Sequence, residues 1–250
     1  MRLNHPVKKL KLIFMALSKI DNWWDYFLDY FGLKKGIVNY RIGGRNILTR
    51  AGTIDKSIFT EVALEKLYFP KWLSLPEGAV IIDVGAHIGI FSMLASSKFK
   101  NSRIYSIEPS SDNFRILTKQ KNLNKANAEL FNIALTDKDG EMKLYQGEHS
   151  ARGSLTRKEG KGFEIVKTKT LRRFFSENKI EKCDLMKMDI EGGEYSVLYS
   201  TPNEIFDKID RIFIEIHKID GEKRGDLIRF IQEKGFKTKY KDEDFVYALR

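Results

Sequence analysis

Asp83-Val84-Gly85-Ala86-His87-Ile88-Gly89 is the stretch that decides the fold class of this chain. It follows an apolar run at 80–82 and opens a helical pattern over 89–99, which predicts a strand, a tight turn and a helix. Gly85 and Gly89 lack a Cβ, so the backbone can turn sharply and approach a ligand closely. Their Gly-x-x-x-Gly spacing differs from the Gly-x-Gly-x-x-Gly pattern that holds a pyrophosphate. The turn therefore predicts a ligand site at the carboxyl end of a sheet and argues against a dinucleotide cofactor.

From residue 79 onward, apolar strand-like runs alternate with helical patterns. We predict strands at 80–83, 103–108, 129–133, 184–189, 211–217, 236–240 and 244–249, and helices at 89–99, 111–124, 171–179, 222–234 and from residue 194. Alternation of this kind is typical of a parallel sheet that is covered by helices on both faces. The chain is therefore predicted to have an α/β fold.

The chain divides into an extension, residues 1–76, and a catalytic domain, residues 77–250. In the extension we predict helices within 7–31, a hairpin turn at Gly43-Gly44, and a helix from about Lys56 to Phe69 that Pro70 ends. In the catalytic domain, glycines and polar–apolar alternation over 140–170 predict an inserted hairpin with a mobile tip. We expect the extension to act as a cap or lid on the catalytic domain.

Charge and cysteine content limit the classes of partner and compartment. The chain has 44 Lys and Arg against 34 Asp and Glu, a net charge of +10. This excess favours partners that carry phosphate or carboxylate, such as nucleic acid, anionic lipid or an acidic glycan. The basic residues are dispersed, so we expect most of them to form a solvated surface. Cys183 is the only cysteine, which excludes intrachain disulfides and fits a reducing, cytoplasmic setting.

Large apolar residues recur at helical spacing near the N-terminus, as Leu10, Ile13, Phe14, Leu17, Trp24, Phe27, Leu28 and Phe31. Because such a stripe is most often a core face, we expect residues 7–31 to pack on the catalytic domain as a helical cap. Peripheral membrane contact through residues 7–31 is the alternative, because three lysines and paired tryptophans accompany the stripe. The apolar run 12–17 is much shorter than the roughly 20 residues of a spanning helix, so no transmembrane segment is predicted.

Glu108 ends the second predicted strand, 25 positions after Asp83. An acidic side chain at this place can accept hydrogen bonds from two ribose hydroxyls of a nucleoside cofactor. Asp83 can bond to an amino acid moiety directly or through water, while Pro109 and Asn113 begin the next helix. Together with the glycine turn, these residues point to S-adenosylmethionine, a cofactor with ribose hydroxyls but no phosphates.

Two later strand ends bring acidic and histidine side chains to the same sheet edge. Asp189-Ile190-Glu191 follows the fourth main strand, and Glu215-Ile216-His217 ends the next one with its first and third residues on one face. His217, with an ordinary pKa of about 6.5, could be the general base for an acceptor hydroxyl. Alternatively, Asp189 with Glu215 or His217 could hold a divalent metal, which we do not favour. A purely structural role, as an interior histidine and a helix cap, is the third interpretation.

At these residues the chain resembles the FkbM family of class I methyltransferases, over roughly residues 45–250. The matching stretches are 50–55 with Glu61, 83–92, Ile107-Glu108-Pro109 with Asn113-Phe114, Ala134-Leu135-Thr136-Asp137 with Gly140, 168–171, 184–195 and Glu215-Ile216-His217. The resemblance implies a Rossmann-like, seven-stranded, mostly parallel sheet with an antiparallel last strand, in a three-layer α/β/α arrangement. It also implies S-adenosylmethionine as donor and O-methylation of a hydroxyl, often on a sugar or natural product.

Carried over by position, the resemblance implies that Asp189, Glu191 and His217 face the acceptor. The predicted cofactor site comprises Asp83, Gly85, His87, Gly89, Glu108, Pro109, Asn113, Ala134 and Asp189. His87 stands where the family usually has Asn, so a contact there is expected through the backbone alone. Gly193 likewise stands where the family usually has Ala.

A small-molecule or glycan acceptor is therefore the expected substrate. An RNA methyltransferase is the alternative that the net charge suggests, but the chain lacks an appended RNA-binding motif, Asn-Pro-Pro-Tyr and a catalytic cysteine pair. A non-catalytic S-adenosylmethionine-binding protein is the remaining alternative. The set of Asp189, Glu191 and His217 argues against it.

Overall fold

The computed structural model describes residues 6–146, 153–154 and 162–250. The helices are α1 (Pro6–Lys19), α2 (Trp23–Tyr30), α3 (Asp55–Phe59), α4 (Ile90–Lys98), α5 (Ser111–Asn124), α6 (Leu171–Glu177), α7 (Glu194–Ser200), α8 (Asn203–Phe206) and α9 (Arg224–Glu233). The strands are β1 (Ile37–Ile42), β2 (Arg45–Arg50), β3 (Val80–Val84), β4 (Arg103–Ile107), β5 (Ala128–Phe131), β6 (Ala134–Leu135), β7 (Gly140–Gln146), β8 (Gly153–Ser154), β9 (Phe163–Lys169), β10 (Leu185–Met188), β11 (Arg211–Glu215), β12 (Lys237–Tyr240) and β13 (Phe245–Leu249).

Seven strands form one sheet in the order β12-β13-β11-β10-β3-β4-β5. The strands from β11 to β5 pair in parallel, whereas β13 runs antiparallel to β11 and β12. The predicted α/β fold, with a mostly parallel sheet and an antiparallel last strand, is confirmed. The strand order reverses between β3 and β10, and ligands of open α/β sheets bind at such a switch point.

Helices cover both faces of the central sheet because successive strand residues point to opposite sides. Ile81 and Leu185 pack with α4 and with residues of the extension in one buried cluster. Ile82 and Met186 pack with α6, α7, α8 and α9 in a second cluster. These four strand side chains have no exposed surface. The predicted three-layer α/β/α arrangement follows from this two-sided burial.

The extension contains the predicted hairpin, in which β1 and β2 pair antiparallel around Gly43-Gly44. The helix predicted from Lys56 to Phe69 is shorter, because α3 and the π-helical turn Thr60–Leu64 that continues it end at Leu64. Lys66 adopts a φ of +56°, and the N–H of Leu67 bonds back to the carbonyl of Glu61. This left-handed residue ends the helix, so Pro70 is not its stop signal.

Helices α1 and α2 pack on the rest of the protein through side chains that differ from the predicted stripe. Ala16, Ile20 and Tyr26 are buried. Four stripe residues keep 66–73% of their surface exposed, namely Leu10, Phe14, Trp24 and Phe31. The expectation that the whole stripe faces the core is therefore wrong for these four, because Leu12, Met15 and Trp23, on other sides of the helices, pack against the core instead. Within the part of the chain that the structure covers, every helix is too short or too polar to cross a bilayer.

The hairpin predicted within 140–170 forms a small second sheet in the order β6-β9-β7-β8. β7 pairs antiparallel with β9, from Gly140 opposite Thr168 to Tyr145 opposite Phe163. Leu144 and Val166 pack with Ala134 in a separate apolar cluster. The tip that was expected to be mobile lies outside the described residues.

Candidate active site

A cavity opens at the switch point, where β3, β4 and β10 end. It is lined by most of the predicted site residues, namely Gly85, His87, Glu108, Pro109, Asn113, Ala134, Asp189 and Glu191. Ile54, Ile58 and Val62 from the extension form an apolar wall. The cavity is thus built from the sheet edge and the extension together.

The two glycines of the turn have different roles. Gly85 has a φ of +76°, and a Cβ there would lie 1.9 Å from the carbonyl oxygen of Asp189. Gly89 has a φ of +89°, and a Cβ there would lie 2.4 Å from Leu117 Cδ1 in α5. Gly89 is not among the residues that line the cavity. Its absent Cβ allows α4 to pack closely on α5, and its predicted cofactor contact stays a prediction.

Glu108 is a buried carboxylate in the cavity wall, with 6% of its surface exposed. One of its oxygens accepts the His87 N–H at 2.8 Å, and the other accepts the Ser110 N–H at 3.0 Å and the Asn113 side-chain amide at 3.2 Å. Burial raises the pKa of Glu108, and these hydrogen bonds oppose the increase. A carboxylate offers about four lone-pair sites, so it can still accept a hydrogen bond from a ligand hydroxyl.

Hydrogen bonds connect Glu108 to the extension through Asn113 and Arg50. Asn113 Oδ1 accepts a hydrogen bond of 2.7 Å from Arg50 Nη2. Arg50 also forms a bidentate pair with buried Asp55, at 2.8 and 2.9 Å. Burial alone would raise the pKa of Asp55, but the Arg50 hydrogen bonds and the nearby His87 hold it below its usual value. The sequence alone indicated no role for this pair beyond the family resemblance of residues 50–55.

His87 adopts a φ of +54° between the two glycines. Its Nε2 lies 3.6 Å from Asp55 Oδ1, and burial lowers the pKa of the ring to about 4. The imidazole is therefore neutral at neutral pH. Among the described residues, neither ring nitrogen has a hydrogen-bond partner. The backbone N–H of His87 donates to Glu108, whereas the ring nitrogens remain available to a ligand or water. The expected backbone contact with the cofactor stays a prediction.

Asp83 lies outside the cavity lining and is fully buried. Its Oδ2 accepts a hydrogen bond of 2.6 Å from the Ser92 hydroxyl, and its Oδ1 lies 3.3 Å from Lys187 Nζ. Lys187 in turn donates to the Gly85 carbonyl at 2.6 Å. The Asp83 side chain thus contacts the glycine turn through Lys187. Its bond to an amino acid moiety, directly or through water, stays a prediction.

Lys187 also lines the cavity and was not among the predicted site residues. It is 4% exposed in the middle of β10, whose other residues are Leu and Met. Burial lowers its pKa, but the charges of Asp83 and Asp189 raise it more, so the ammonium stays charged. A lysine inside an apolar central strand was a usable signal, because a buried charge requires charged or polar partners.

Asp189 joins the cavity to the extension through Tyr68. The Tyr68 hydroxyl donates to Asp189 Oδ2 at 3.1 Å, and Lys187 Nζ lies 3.8 Å from the same oxygen. Burial and the Asp189 charge raise the pKa of Tyr68 well above its usual value. Tyr68 therefore remains a hydrogen-bond donor and orients the Asp189 carboxylate.

His217 stands beside the cavity and is surrounded by carboxylates. Its Nδ1 lies 2.9 Å from Glu194 Oε1. Its Nε2 lies 3.6 Å from Glu191 and 4.0 Å from both Asp189 and Glu215. Burial lowers the pKa of His217, but the Glu194 hydrogen bond and the surrounding negative charges raise it to about 9. The ordinary value of about 6.5, on which the sequence argument relied, does not apply here.

Glu194 holds both His217 and the turn that carries Asp189. Its side chain is fully buried, and Oε1 also accepts the N–H groups of Ile190 at 3.1 Å and Gly192 at 3.3 Å. The sequence contained no separate signal for this role, because Glu194 reads as an ordinary first-turn residue of α7.

Glu215 completes the group at the sheet edge. Burial and the charge of Asp189 raise its pKa to about 8, while His217 opposes the increase. Its side chain is one-third exposed, so solvent screening moderates this effect. In residues 6–146, 153–154 and 162–250, no group of three His, Cys, Asp or Glu side chains has an arrangement that could hold a metal ion.

The fold and the switch-point cavity, with Glu108 in its wall and Asp189 at its edge, fit an S-adenosylmethionine-dependent methyltransferase, and the family match shows that the chain is one. The chain matches the family model described as the methyltransferase FkbM domain over residues 83–238, which is more than half of its length. The chain belongs to the FkbM methyltransferase family, as the resemblance in sequence implied.

Three relatives illustrate the range of this similarity. Hexuronic acid methyltransferase AglP of Haloferax volcanii is 26% identical, across 70% of this chain and 72% of that protein. 31-O-demethyl-FK506 methyltransferase FkbM of Streptomyces tacrolimicus is 23% identical, across 76% of this chain and 85% of that protein. AMB antimetabolite synthetase AmbE of Pseudomonas aeruginosa is 22% identical across 82% of this chain, but the chain spans only 11% of AmbE.

Proposed function

We propose that this methyltransferase acts on a hydroxyl group of a sugar, glycan or comparable small molecule. The observation that carries the proposal is the position of His217 Nε2, within 4.0 Å of three carboxylates at the edge of the cavity. In its neutral form, the His217 ring can accept the proton that a hydroxyl must lose when it is methylated. One relative is named as a hexuronic acid methyltransferase and another as a 31-O-demethyl-FK506 methyltransferase, which supports a hydroxyl-rich acceptor.

The residues of the cavity fit S-adenosylmethionine. Glu108 is buried and, with three hydrogen bonds already accepted, can still accept one from a ribose hydroxyl. Ile54 and Ile58 offer an apolar surface for a purine, and the absent Cβ of Gly85 keeps the floor of the site open. When bound, the cofactor supplies a methyl group on a positively charged sulfur. Negatively charged side chains at the cavity edge, such as Asp189, suit that charge.

The acceptor oxygen forms one bond, to the methyl carbon, as the carbon–sulfur bond breaks, and it loses one proton. We assign that proton to His217 Nε2, which Glu194 orients through Nδ1. Because the pKa of His217 is about 9, the neutral, basic form becomes more abundant as the pH rises through 9. Asp189 and Glu191 are assigned to binding the acceptor, since both line the cavity and both lie near His217.

The proposal is tested with methyl-labelled S-adenosylmethionine and three acceptor pools: glycans that contain hexuronate, neutral glycans and RNA. We expect label in a glycan pool, as an ether that resists mild alkaline hydrolysis. Label that alkali removes would indicate a methyl ester on a carboxylate, which needs no general base, and would contradict hydroxyl transfer. Label in RNA alone would support the RNA alternative. Parallel assays with a chelator test whether a divalent metal takes part.

A further inference from the structure

Helices α1 and α2 carry an unusual concentration of exposed apolar side chains. Among the described residues, ten of the seventeen large apolar side chains that are exposed lie within residues 10–37. Phe14 is 73% exposed, Trp24 66% and Phe31 69%. Single exposed apolar residues are ordinary, but a concentration of them on neighbouring helices marks an interaction surface. We call Leu10, Phe14, Leu17, Trp24, Leu28 and Phe31 the outer face.

Other sides of both helices already contact the rest of the protein, so the outer face is not needed to hold the helices in place. Ile20 forms a β-bridge with Ile42, and the Tyr26 hydroxyl lies 3.0 Å from Thr60 Oγ1. Lys19 Nζ donates to the Leu64 carbonyl at 2.7 Å. The helices are thus held on the protein by residues other than those of the outer face.

The charge of α1 favours a negatively charged partner. Its sequence, Pro6–Lys19, contains no acidic residue and, besides Lys19, which bonds to Leu64, three lysines. Helices that lie on membranes combine lysines with Trp, Phe and Leu in this way, whereas lysine-rich helices of two identical copies would repel each other. The same helix borders a cleft of about 1150 Å³ that also contains Glu215, so its position bears on access to the sheet edge.

We propose that α1 and α2 bind the surface of an anionic lipid bilayer, with the outer face inserted at the level of the headgroups. Docking in this way brings the cleft beside α1 close to the lipid. The binding itself does not depend on the proposed methyl transfer. It can therefore be measured without cofactor or acceptor.

The test is cosedimentation of the full chain with vesicles of equal parts phosphatidylglycerol and phosphatidylcholine, compared with phosphatidylcholine alone. We expect binding to the anionic vesicles that weakens as salt increases. Phe14→Ser and Trp24→Ser should each weaken it about tenfold, because each removes one large inserted side chain. Tyr240→Ser is the matched control, since Tyr240 is 61% exposed on β12 and outside the outer face.

Thermal melting and S-adenosylmethionine binding verify that each variant is folded, and neither should change. Equal binding of wild type, Phe14→Ser and Trp24→Ser would overturn the proposal, as would failure of the wild type to sediment with anionic vesicles. A wild-type dimer that Trp24→Ser converts to monomer, without vesicle binding, would instead identify the outer face as a protein interface. Methyl transfer to a soluble acceptor is expected to persist in all variants, which separates this proposal from the proposed function.

Discussion

The acidic side chains on the two sides of the cavity have different partners. On one side, Glu108 is buried and receives three hydrogen bonds from the protein, two from backbone N–H groups and one from Asn113. On the other side, Asp189, Glu191 and Glu215 are each between one-quarter and about one-third exposed and surround His217 at 3.6–4.0 Å. Glu108 is therefore fixed by hydrogen-bond donors of the protein. The three acidic residues on the other side instead share one histidine, which can gain or lose a proton.

This difference indicates a division of labour. A carboxylate held by fixed donors can bind neutral hydroxyls without changing its own charge, as a nucleoside cofactor requires. A group of carboxylates around a histidine of raised pKa can exchange a proton with an acceptor. We expect substitutions on the first side to change cofactor affinity, and substitutions on the second side to change turnover and its pH dependence.

His217→Gln should have the largest effect. We expect kcat to fall by about 10²–10⁴-fold, the usual contribution of a general base, with the cofactor Kd unchanged. In the wild type, kcat/KM should rise with pH up to about 9, because His217 must lose its proton to act as a base. Full activity of His217→Gln, or a profile that levels off near pH 6.5, would contradict the assignment.

Gly85→Ala tests the close contact between the glycine turn after β3 and Asp189 after β10. The left-handed φ and the 1.9 Å approach of a Cβ to Asp189 O should together destabilise the protein by about 3 kcal/mol or more. Gly78→Ala is the control, since Gly78 has a φ of +75° but a Cβ there would meet no atom within 4 Å, and it should cost about 1 kcal/mol. Chemical denaturation measures both values, and equal losses would show that the close approach is unimportant.

Glu108→Gln should weaken cofactor binding without slowing the bound enzyme. Loss of hydrogen bonds to a charged acceptor costs about 1.5–3 kcal/mol, so the Kd for S-adenosylmethionine should rise about 10–100-fold. Glu129→Gln removes a carboxylate that pairs with Arg103 on the surface and should leave the Kd unchanged. Titration calorimetry distinguishes the two variants. An unchanged Kd in Glu108→Gln would place the ribose elsewhere.

Glu194→Gln should have the smallest effect on rate and a clear effect on its pH dependence. Removal of the Glu194 charge lowers the pKa of His217, so the midpoint of the kcat/KM profile should move about one unit to lower pH. Glutamine keeps an oxygen for the N–H groups of Ile190 and Gly192, which preserves the turn. An unmoved midpoint with reduced activity would mean that Glu194 has only a structural role.

The strand and helix pattern predicted most of the fold and part of the site. The glycine turn, Glu108 and Asp189 were found because each follows a recognisable strand, and the cavity indeed contains them. The inward orientation of Asp83 was not predictable, because a strand-end carboxylate can face the ligand or turn inward, and only packing decides between these. Lys187 and Arg50 lie in stretches that match the family, but their roles were not predicted, because Lys187 pairs with Asp83 and Arg50 bonds to Asn113, both distant in sequence.

The outer face illustrates the same limit. Periodicity predicted amphipathic helices in residues 7–31, and α1 and α2 are present. Which face of such a helix is buried depends on the surface against which it packs. Ala16 and Tyr26 face inward, and Phe14 and Trp24 do not.

By itself the sequence determined that this chain has an α/β fold with a mostly parallel sheet, because strand and helix periodicities are local and fix where strands end. The resemblance to the FkbM family added the class of enzyme. The sequence also determined which residue types reach the carboxyl edge. Only the tertiary structure decided their states and partners: the neutral ring of His87, the raised pKa of His217, and the pairing of Asp83 with Lys187. Those properties depend on burial and on distances between residues that are remote in the chain. Burial and nearby charges set the electrostatic energy of an ionisable group, and the sequence does not give either.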